Sequence, residues 1–469
     1  MLDLEKVKKC YKEYQDKLNH YLEIDRYYYG NTKPLKAGNN LPNRSNARVY
    51  TNFIQKLVDE EAMYSFGNKV TFKAIEDGQK DALKLISYHF KNNGAGYDSS
   101  AGKRLIEFHI GYEINYFNKD NKFRSKWVSP LEGNAYFNEY DELEFFIYIH
   151  TKVKDKKKVN YVDVYDENNV YYLDNNLNLI DTKAHNFGTV PVGVGIIDNV
   201  QYTEENGYIE GDKTIYRTIR PLQDCIEQNL SDITQEITDF HNAILKFYGI
   251  ELENELDQDG NVILGADGRP VKKEPILGHN SILYFGDKKV EDAEWLIKNV
   301  NDTFIKNTRD DMKDLIYTLT NHVDNNEKLQ SNLSGIALRS KLQCLEARVK
   351  ANEAAMEDII RKRIQCLFNY LRKTKKADFD ENLISIEFTP CVPQDIGVIA
   401  DVISKIPHEV LSNETKRSML PNVNNVEAEQ DRIDKEAEKS MPKINLDNLP
   451  PIGGEGAANE KCRVCKKLI

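Results

Sequence analysis

The chain has 469 residues and a formal net charge of −11, from 64 Lys plus Arg against 75 Asp plus Glu. At roughly 150 residues per domain that length suggests about three domains. The acidic balance argues against a tight non-specific grip on DNA, which works by Lys and Arg displacing counterions, and 40% apolar residues exclude a disordered chain.

No apolar run is long enough to span a bilayer. The opening MLDLEKVKKCYKEYQDKL is charged throughout and lacks a signal-peptide apolar region. The expectation is a protein made and used in a cytosol, or carried in an assembly formed there. Seven scattered Cys, an odd count, point to free thiols and not to a disulfide framework.

In chain order, residues 1–29 carry Leu4, Val7, Tyr11, Tyr14, Leu18, Tyr21 and Leu22 at helical spacing, and Gly30 ends the helix. Residues 31–46 read as loop. A helix resumes to Gly67, VTFKAI is a short strand, and a helix over roughly 79–91 follows. NNGAGYDSSAG then reads as a Gly-rich break. Residues 108–200 hold EINYFN, KWVSPL, LEFFIYIH, NYVDVYDE and NVYYLDN, rich in β-branched and aromatic residues, and predict an antiparallel meander closed by HNFGTVPVGVGIID.

Next comes a long apolar stripe: Ile215, Ile219, Leu222, Ile226, Leu230, Ile233, Ile237, Phe240 and Ile244. It predicts one helix of about 45 Å, at 1.5 Å per residue, kinked or started by Pro221. Its other face carries Gln228, Asp232, Glu236 and Asp239. Residues 250–290 hold Asp259-Gly260 and Asp267-Gly268, hairpin signals around a short VIL strand, and then a SILYFG strand. Helix returns at about 299–320. HVDNNEKLQSNLSG (322–335) is a polar loop, and a second very long helix covers about 336–373. LISIEFTP is a strand, 395–440 a helical section, and the Pro-, Gly- and Asn-rich residues 441–469 a flexible tail. No internal repeat is read. The fold class is α+β.

The chemistry-bearing motifs mostly fail. GYDSSAGKR (96–104) lacks the first Gly and the hydroxyl residue of a phosphate loop, and reads as a flexible turn before a helix. DQDGN (257–261) lacks the distal Glu of a calcium loop and reads as a hairpin turn. CRVC (462–465) is a lone pair of thiols without further zinc ligands. Asp310-Asp311 reads as a solvated helix face. KVKDKKKV (152–159) is a basic hairpin tip with no interleaved aromatic, below the pattern expected of a nucleic-acid contact. No metal, cofactor or catalytic set emerges. An apolar stripe of this length needs the returning helix, neighbouring subunits, or both, which argues for an oligomer.

Five strings in order carry a resemblance: YYYG with NARVYTNFIQKLVDEEAMYSFGNKVTF, HNFGTVPVGVG, SDITQEITDFHNAILKFYG, LSGIALRSKLQCLEARVKANEAAMEDIIRKRI, and LSNETKRSMLPNVNNVEAEQDRIDKEAE. They span most of residues 27–440, and the chain resembles the portal proteins of tailed bacteriophages, of the type found in phages of Gram-positive hosts. The resemblance implies a closed ring of about twelve identical subunits at one capsid vertex. It implies a tunnel for double-stranded DNA, no enzymatic activity of its own, a virion location and assembly in the host cytoplasm. The implied partners are the terminase large subunit, a head–tail adaptor, and the major capsid and scaffolding proteins; no membrane is involved.

Carried over, 1–214 would be an α/β wing and 215–248 a stem helix packed through Ile226, Leu230, Ile233, Ile237 and Phe240. Residues 249–298 would be a small α/β clip for terminase docking, with Asp259, Gly260, Asp267 and Gly268 at its turns. Residues 299–321 would be the second stem helix. Residues 322–335 would be a DNA-facing tunnel loop offering Asn325, Asn326, Lys328, Gln330 and Asn332, whose polar groups can position phosphates without reading bases. Residues 336–394 would hold the long wing helix and a strand, and 395–440 a helical crown. The alternative from another class is a nucleic-acid-processing enzyme with an unrecognised acidic metal site.

Overall fold

The computed structural model describes residues 2–36, 46–154, 157–198, 201–203, 208–239, 244–248, 254–265, 267–272, 292–296, 302–324, 335–391, 396–407, 409–420, 423 and 426–440. They belong to two units, Met1–Cys391 and Val392–Ile469. SILYFG, Phe240, the five tunnel-loop residues and CRVC lie outside the described residues.

The first unit opens with α1 (Leu4–Tyr28), α2 (Lys33–Lys36), α3 (Phe53–Phe66), strand β1 (Thr71–Ala74), α4 (Lys80–Phe90) and α5 (Tyr97–Phe108). Asp3 starts α1 by accepting the Glu5 and Lys6 N–H groups at 3.0 and 3.3 Å. The break read in NNGAGYDSSAG holds only to Gly96, with Gly94 at φ 93°; from Tyr97 the stretch is helical, as the first turns of α5. Its reason is close packing and not looseness. A Cβ on Gly102 would sit 2.1 Å from Phe66 Cδ2, so only glycine lets α5 lie this close to α3.

Eight strands follow: β2 (Ile110–Phe117), β3 (Phe123–Val128), β4 (Gly133–Phe137), β5 (Leu143–Lys154), β6 (Lys157–Tyr165), β7 (Asn169–Leu173), β8 (Leu179–Ala184) and β9 (Val192–Ile196). The meander is real for β4-β5-β6-β7-β8, all antiparallel. A separate sheet has the order β3-β2-β9. Three connections share one turn chemistry. Asn118, Asn138 and Asp174 each accept N–H groups two and four residues on, and Asn121, Asp141 and Leu177 take positive φ. One sheet face buries Phe145, Ile147, Ile149, Val162, Val164 and Leu173 against Val7, Cys10 and Tyr14 of α1.

A short hairpin, β10 (Gln201–Thr203) with β11 (Tyr208–Glu210), leads into α6 (Ile215–Asp239). The long helix therefore stops before Ile244. Residues Ile244–Tyr248 form β12, paired antiparallel with β13 (Asp292–Leu296). The ILKFY segment is β-branched and aromatic, and it finds a strand partner in DAEWL. Then come α7 (Asp302–Thr320), α8 (Gly335–Lys373) and β14 (Ile384–Glu387), which pairs with β1. Helix α8 lies directly on β9, where a Cβ on Gly195 would meet Ala355 O at 2.6 Å. The main core joins Tyr21, Ile24 and Tyr27 of α1 to Leu57, Leu105, Ile219, Ile316, Ile360 and Phe368.

Between β12 and β13, residues 254–272 hold a repeat that the sequence reading missed. Leu256–Ile263 and Leu264–Val271 align as an eight-residue pattern with Asp-Gly at the same place. Glu255, Ile263 and Val271 are equivalent and bond in a circle: Ile263 N–H to Glu255 O, Val271 N–H to Ile263 O, Glu255 N–H to Val271 O, at 2.8–2.9 Å. Three backbone bonds thus close a triangle, flanked by isolated bridges. Gly260 and Gly268 sit at its turns with φ of 83° and 74°. Asp257 accepts the Asp259 and Asn261 N–H groups, the same chemistry as the meander turns, so DQDGN is a hairpin turn.

The second unit has α9 (Ile396–Lys405), α10 (Asn413–Ser418) and α11 (Val426–Ser440). Ser412 caps α10 by accepting the Thr415 N–H at 3.1 Å.

Candidate functional site: the paired helices and the root of the polar loop

Helices α6 and α7 pack against each other, and the antiparallel β12–β13 pair lies between them in the chain. Their inner halves share the main core: Ile215, Ile219 and Ile226 of α6 with Ile316 and Tyr317 of α7 are buried. Leu222 and Leu230 pack against that core at its edge. Outward along the stripe the burial fades. Ile233 is half-buried, Ile237 is 67% exposed, and Phe304 at the facing end of α7 is 68% exposed. Leu315 and Leu319 of α7 are also exposed.

A polar seam fixes the inner half of α6, and sequence reasoning missed it. Glu227 is fully buried. It accepts from Thr32 Oγ1 at 2.5 Å, Thr51 N and Oγ1 at 3.2 Å, and Gln223 Nε2 at 3.1 Å. Gln223 in turn accepts the Ile54 N–H at 3.0 Å, and so caps the start of α3. Tyr27 donates to both Asp224 oxygens at 3.0 Å. The only signal for this seam is the i, i+4 pair Gln223–Glu227 beside the apolar stripe.

The polar loop is anchored at its N-terminal root. Asn321 takes φ of 60° to end α7. His322, placed in the tunnel loop by sequence, is a buried post with 8% exposure. Its Nδ1 faces Thr320 O at 2.9 Å, so that nitrogen carries the proton. Its Nε2 lies 3.7 Å from Glu61 Oε2. Glu61 of α3, with no exposed surface, also accepts from Arg348 Nε at 3.1 Å and Asn352 Nδ2 at 2.6 Å, both on α8. Burial pushes the His322 imidazole below its ordinary value, against the pull of Glu61. Asp324 pairs with Lys313 at 2.5 Å. The loop root, α3 and α8 are thereby tied through one carboxylate.

A second buried cluster stiffens the same frame. Arg363 of α8 forks onto Glu113 of β2 at 2.8 and 2.5 Å and reaches Asp98 of α5 at 2.8 Å. Phe90 and Tyr97 flank its guanidinium. Asp310 and Asp311 are exposed on α7, with Arg309 3.7 Å from Asp310. Among the described residues no three His, Cys, Asp or Glu side chains converge as a metal site. The five described cysteines are free.

No curated protein matches the chain. Two solved particle structures are similar to it. One is described as the neck of an empty GTA particle computed with C6 symmetry: 10% identity, TM-score 0.41, covering 78% of this chain and 90% of that one. The other is the virion of a native gene transfer agent (GTA) particle: 12% identity, TM-score 0.40, covering 86% and 93%. The family described as "Phage portal protein, SPP1 Gp6-like" matches residues 7–443, nearly the whole length. The chain belongs to this family of phage portal proteins.

Proposed function

We propose that the chain is the subunit of a closed ring at one capsid vertex, through which double-stranded DNA enters and leaves the head. The observation that carries this, beyond family membership, is the apolar stripe of α6 and α7. On its inner half Ile215, Ile219, Ile226 and Ile316 are buried by the chain itself, whereas Ile237 of the outer half is 67% exposed. Neighbouring copies around a ring would cover that half. The two helices would be the stem, residues 249–298 the clip offered to terminase and then to a head–tail adaptor, and 322–335 the tunnel loop. Asn325, Asn326, Lys328, Gln330 and Asn332 would meet DNA phosphates. About twelve subunits would close such a ring. Residues 1–214 with 336–394 would be the wing, facing capsid and scaffolding proteins, and 395–440 the crown. The protein would act in the virion after assembly in the host cytoplasm, as a conduit and not as an enzyme.

The buried root supports the loop assignment. Glu61, His322 and the Lys313–Asp324 pair hold the loop's base to rigid helices, so the loop can vary without disturbing the frame. Deleting 325–334 should leave ring assembly intact and impair DNA packaging or retention. Loss of ring formation would show that the loop is a structural connector instead.

A further inference from the structure

We propose that the groove between α9 and α10 in the second unit is the docking site for the chain's own residues 443–450, KINLDNLP. The groove has a volume of about 580 Å³. Ile403, Ile406 and Pro407 at the end of α9 form one wall, and Lys416, Arg417 and Leu420 in and after α10 form the other. Lys416 is 7% exposed, and its Nζ donates to the Ile406 carbonyl at 2.6 Å, which ties the two helices together. Arg417 donates to the Gln430 side chain on α11. Both partners are neutral. Among the described residues no carboxylate lies within 4 Å of either cation. Asp401 pairs instead with Lys405, and Glu414 is exposed in the first turn of α10.

Two adjacent cations without a counter-ion, one of them nearly buried, thus sit between apolar walls. A charge taken out of water is stabilised by pairing. The groove therefore suits a single carboxylate set between apolar side chains. The chain carries that pattern shortly after α11, which ends at Ser440. Residues 441–454 lie outside the described residues and read MPKINLDNLPPIGG. Asp447 is the one acid among them, with Ile444, Leu446 and Leu449 around it. Reach permits the contact. Gln430 is held at the groove by Arg417, and the ten residues on to Ser440 carry α11 about 15 Å away, at 1.5 Å per residue. The seven residues from Ser440 to Asp447 can span about 23 Å, at 3.3 Å per residue. The segment is long enough to return along the helix and set Asp447 against Lys416 and Arg417.

The test uses the full-length protein and a fluorescent peptide of residues 441–452, read by anisotropy. In the parent the tethered segment fills the groove at high effective concentration, so the peptide should bind weakly. Leu446→Ser combined with Leu449→Ser in the chain should empty the groove and tighten peptide binding about tenfold or more. Leu468→Ser, outside the segment, should leave binding as in the parent. A peptide carrying Asp447→Asn should bind the opened chain about tenfold more weakly, since a bond to a charged group is lost. Arg417→Gln in the opened chain should weaken the unaltered peptide to a similar degree. If Arg417→Gln disturbs the helices, the Asp447→Asn peptide still decides the matter on an unaltered groove. Equal binding to parent and opened chain, no saturable binding to the opened chain, or full binding of the Asp447→Asn peptide would each overturn the proposal.

Discussion

Replacing Glu61 by alanine tests how the loop root is held. Glu61 has no exposed surface and accepts one bond from Arg348 and one from Asn352, with His322 beside it. A hydrogen bond to a charged group contributes about 1.5–3 kcal/mol, and a neutral donor left unsatisfied costs about 1–3 kcal/mol. Arg348 keeps 21% exposure, so water partly replaces its lost partner. The expected loss is therefore roughly 3 kcal/mol, at the lower end of what breaking a buried ion pair costs. Urea unfolding followed by tryptophan fluorescence reads it, since Trp127 lies in β3 of the same unit. Glu61→Gln keeps an acceptor and should lose about half as much.

The pH dependence adds an independent check. His322 has a folded value below 6.5, so the folded state resists its protonation. Its contribution to stability is present above about pH 6.5 and is lost as pH falls below that value. Glu61 pulls the imidazole upward. Removing it should make the loss on acidification steeper. A Glu61→Ala protein within about 0.5 kcal/mol of the parent, with an unchanged slope between neutral and mildly acid pH, would refute this view of the root.

Two further outcomes are expected. Glu107 of α5 is buried, and burial raises its carboxyl from 4.5 to about 7 against the attraction of Arg104; one of its oxygens has no hydrogen-bond partner. The folded state thus favours the protonated acid, and stability should fall by roughly 3 kcal/mol as pH rises from about 4.5 through 7. Glu107→Gln should flatten that fall in a pH series of denaturant melts, and an unaltered profile would count against it. On α6, Ile226→Asp buries an unpaired charge and should cost several kcal/mol in the single chain. Ile237→Asp should leave the single chain's stability within about 0.5 kcal/mol and weaken assembly by mass measurement. Equal effects at both positions would mean the stripe is not divided into an inner and an outer half.

Much of the architecture was legible because period and turn chemistry act locally. The long apolar stripes gave α6 and α8, and alternation with aromatic and β-branched residues gave β5 to β7. Other features depend on contacts that sequence does not display. Residues 96–104 read as a flexible turn because glycine lowers helix propensity, yet Gly102 is there so that α5 can touch Phe66. The stripe seemed to continue to Ile244 because that residue fits the helical spacing. Ile244 belongs instead to a strand, since ILKFY has a partner about fifty residues later. The eight-residue repeat is short: it shares Leu, Asp-Gly and a final β-branched residue over two units, and its third equivalent position, Glu255, matches only in backbone bonding. Glu61 and Glu227 lie outside any motif or polar face that spacing picks out. Each is buried because donors from distant segments converge on it.

The ring itself is the most direct object to observe. Projection images of the purified full-length protein should show a closed ring with a central hole. Particles of single-chain mass at every concentration, or compact oligomers without a hole, would contradict it.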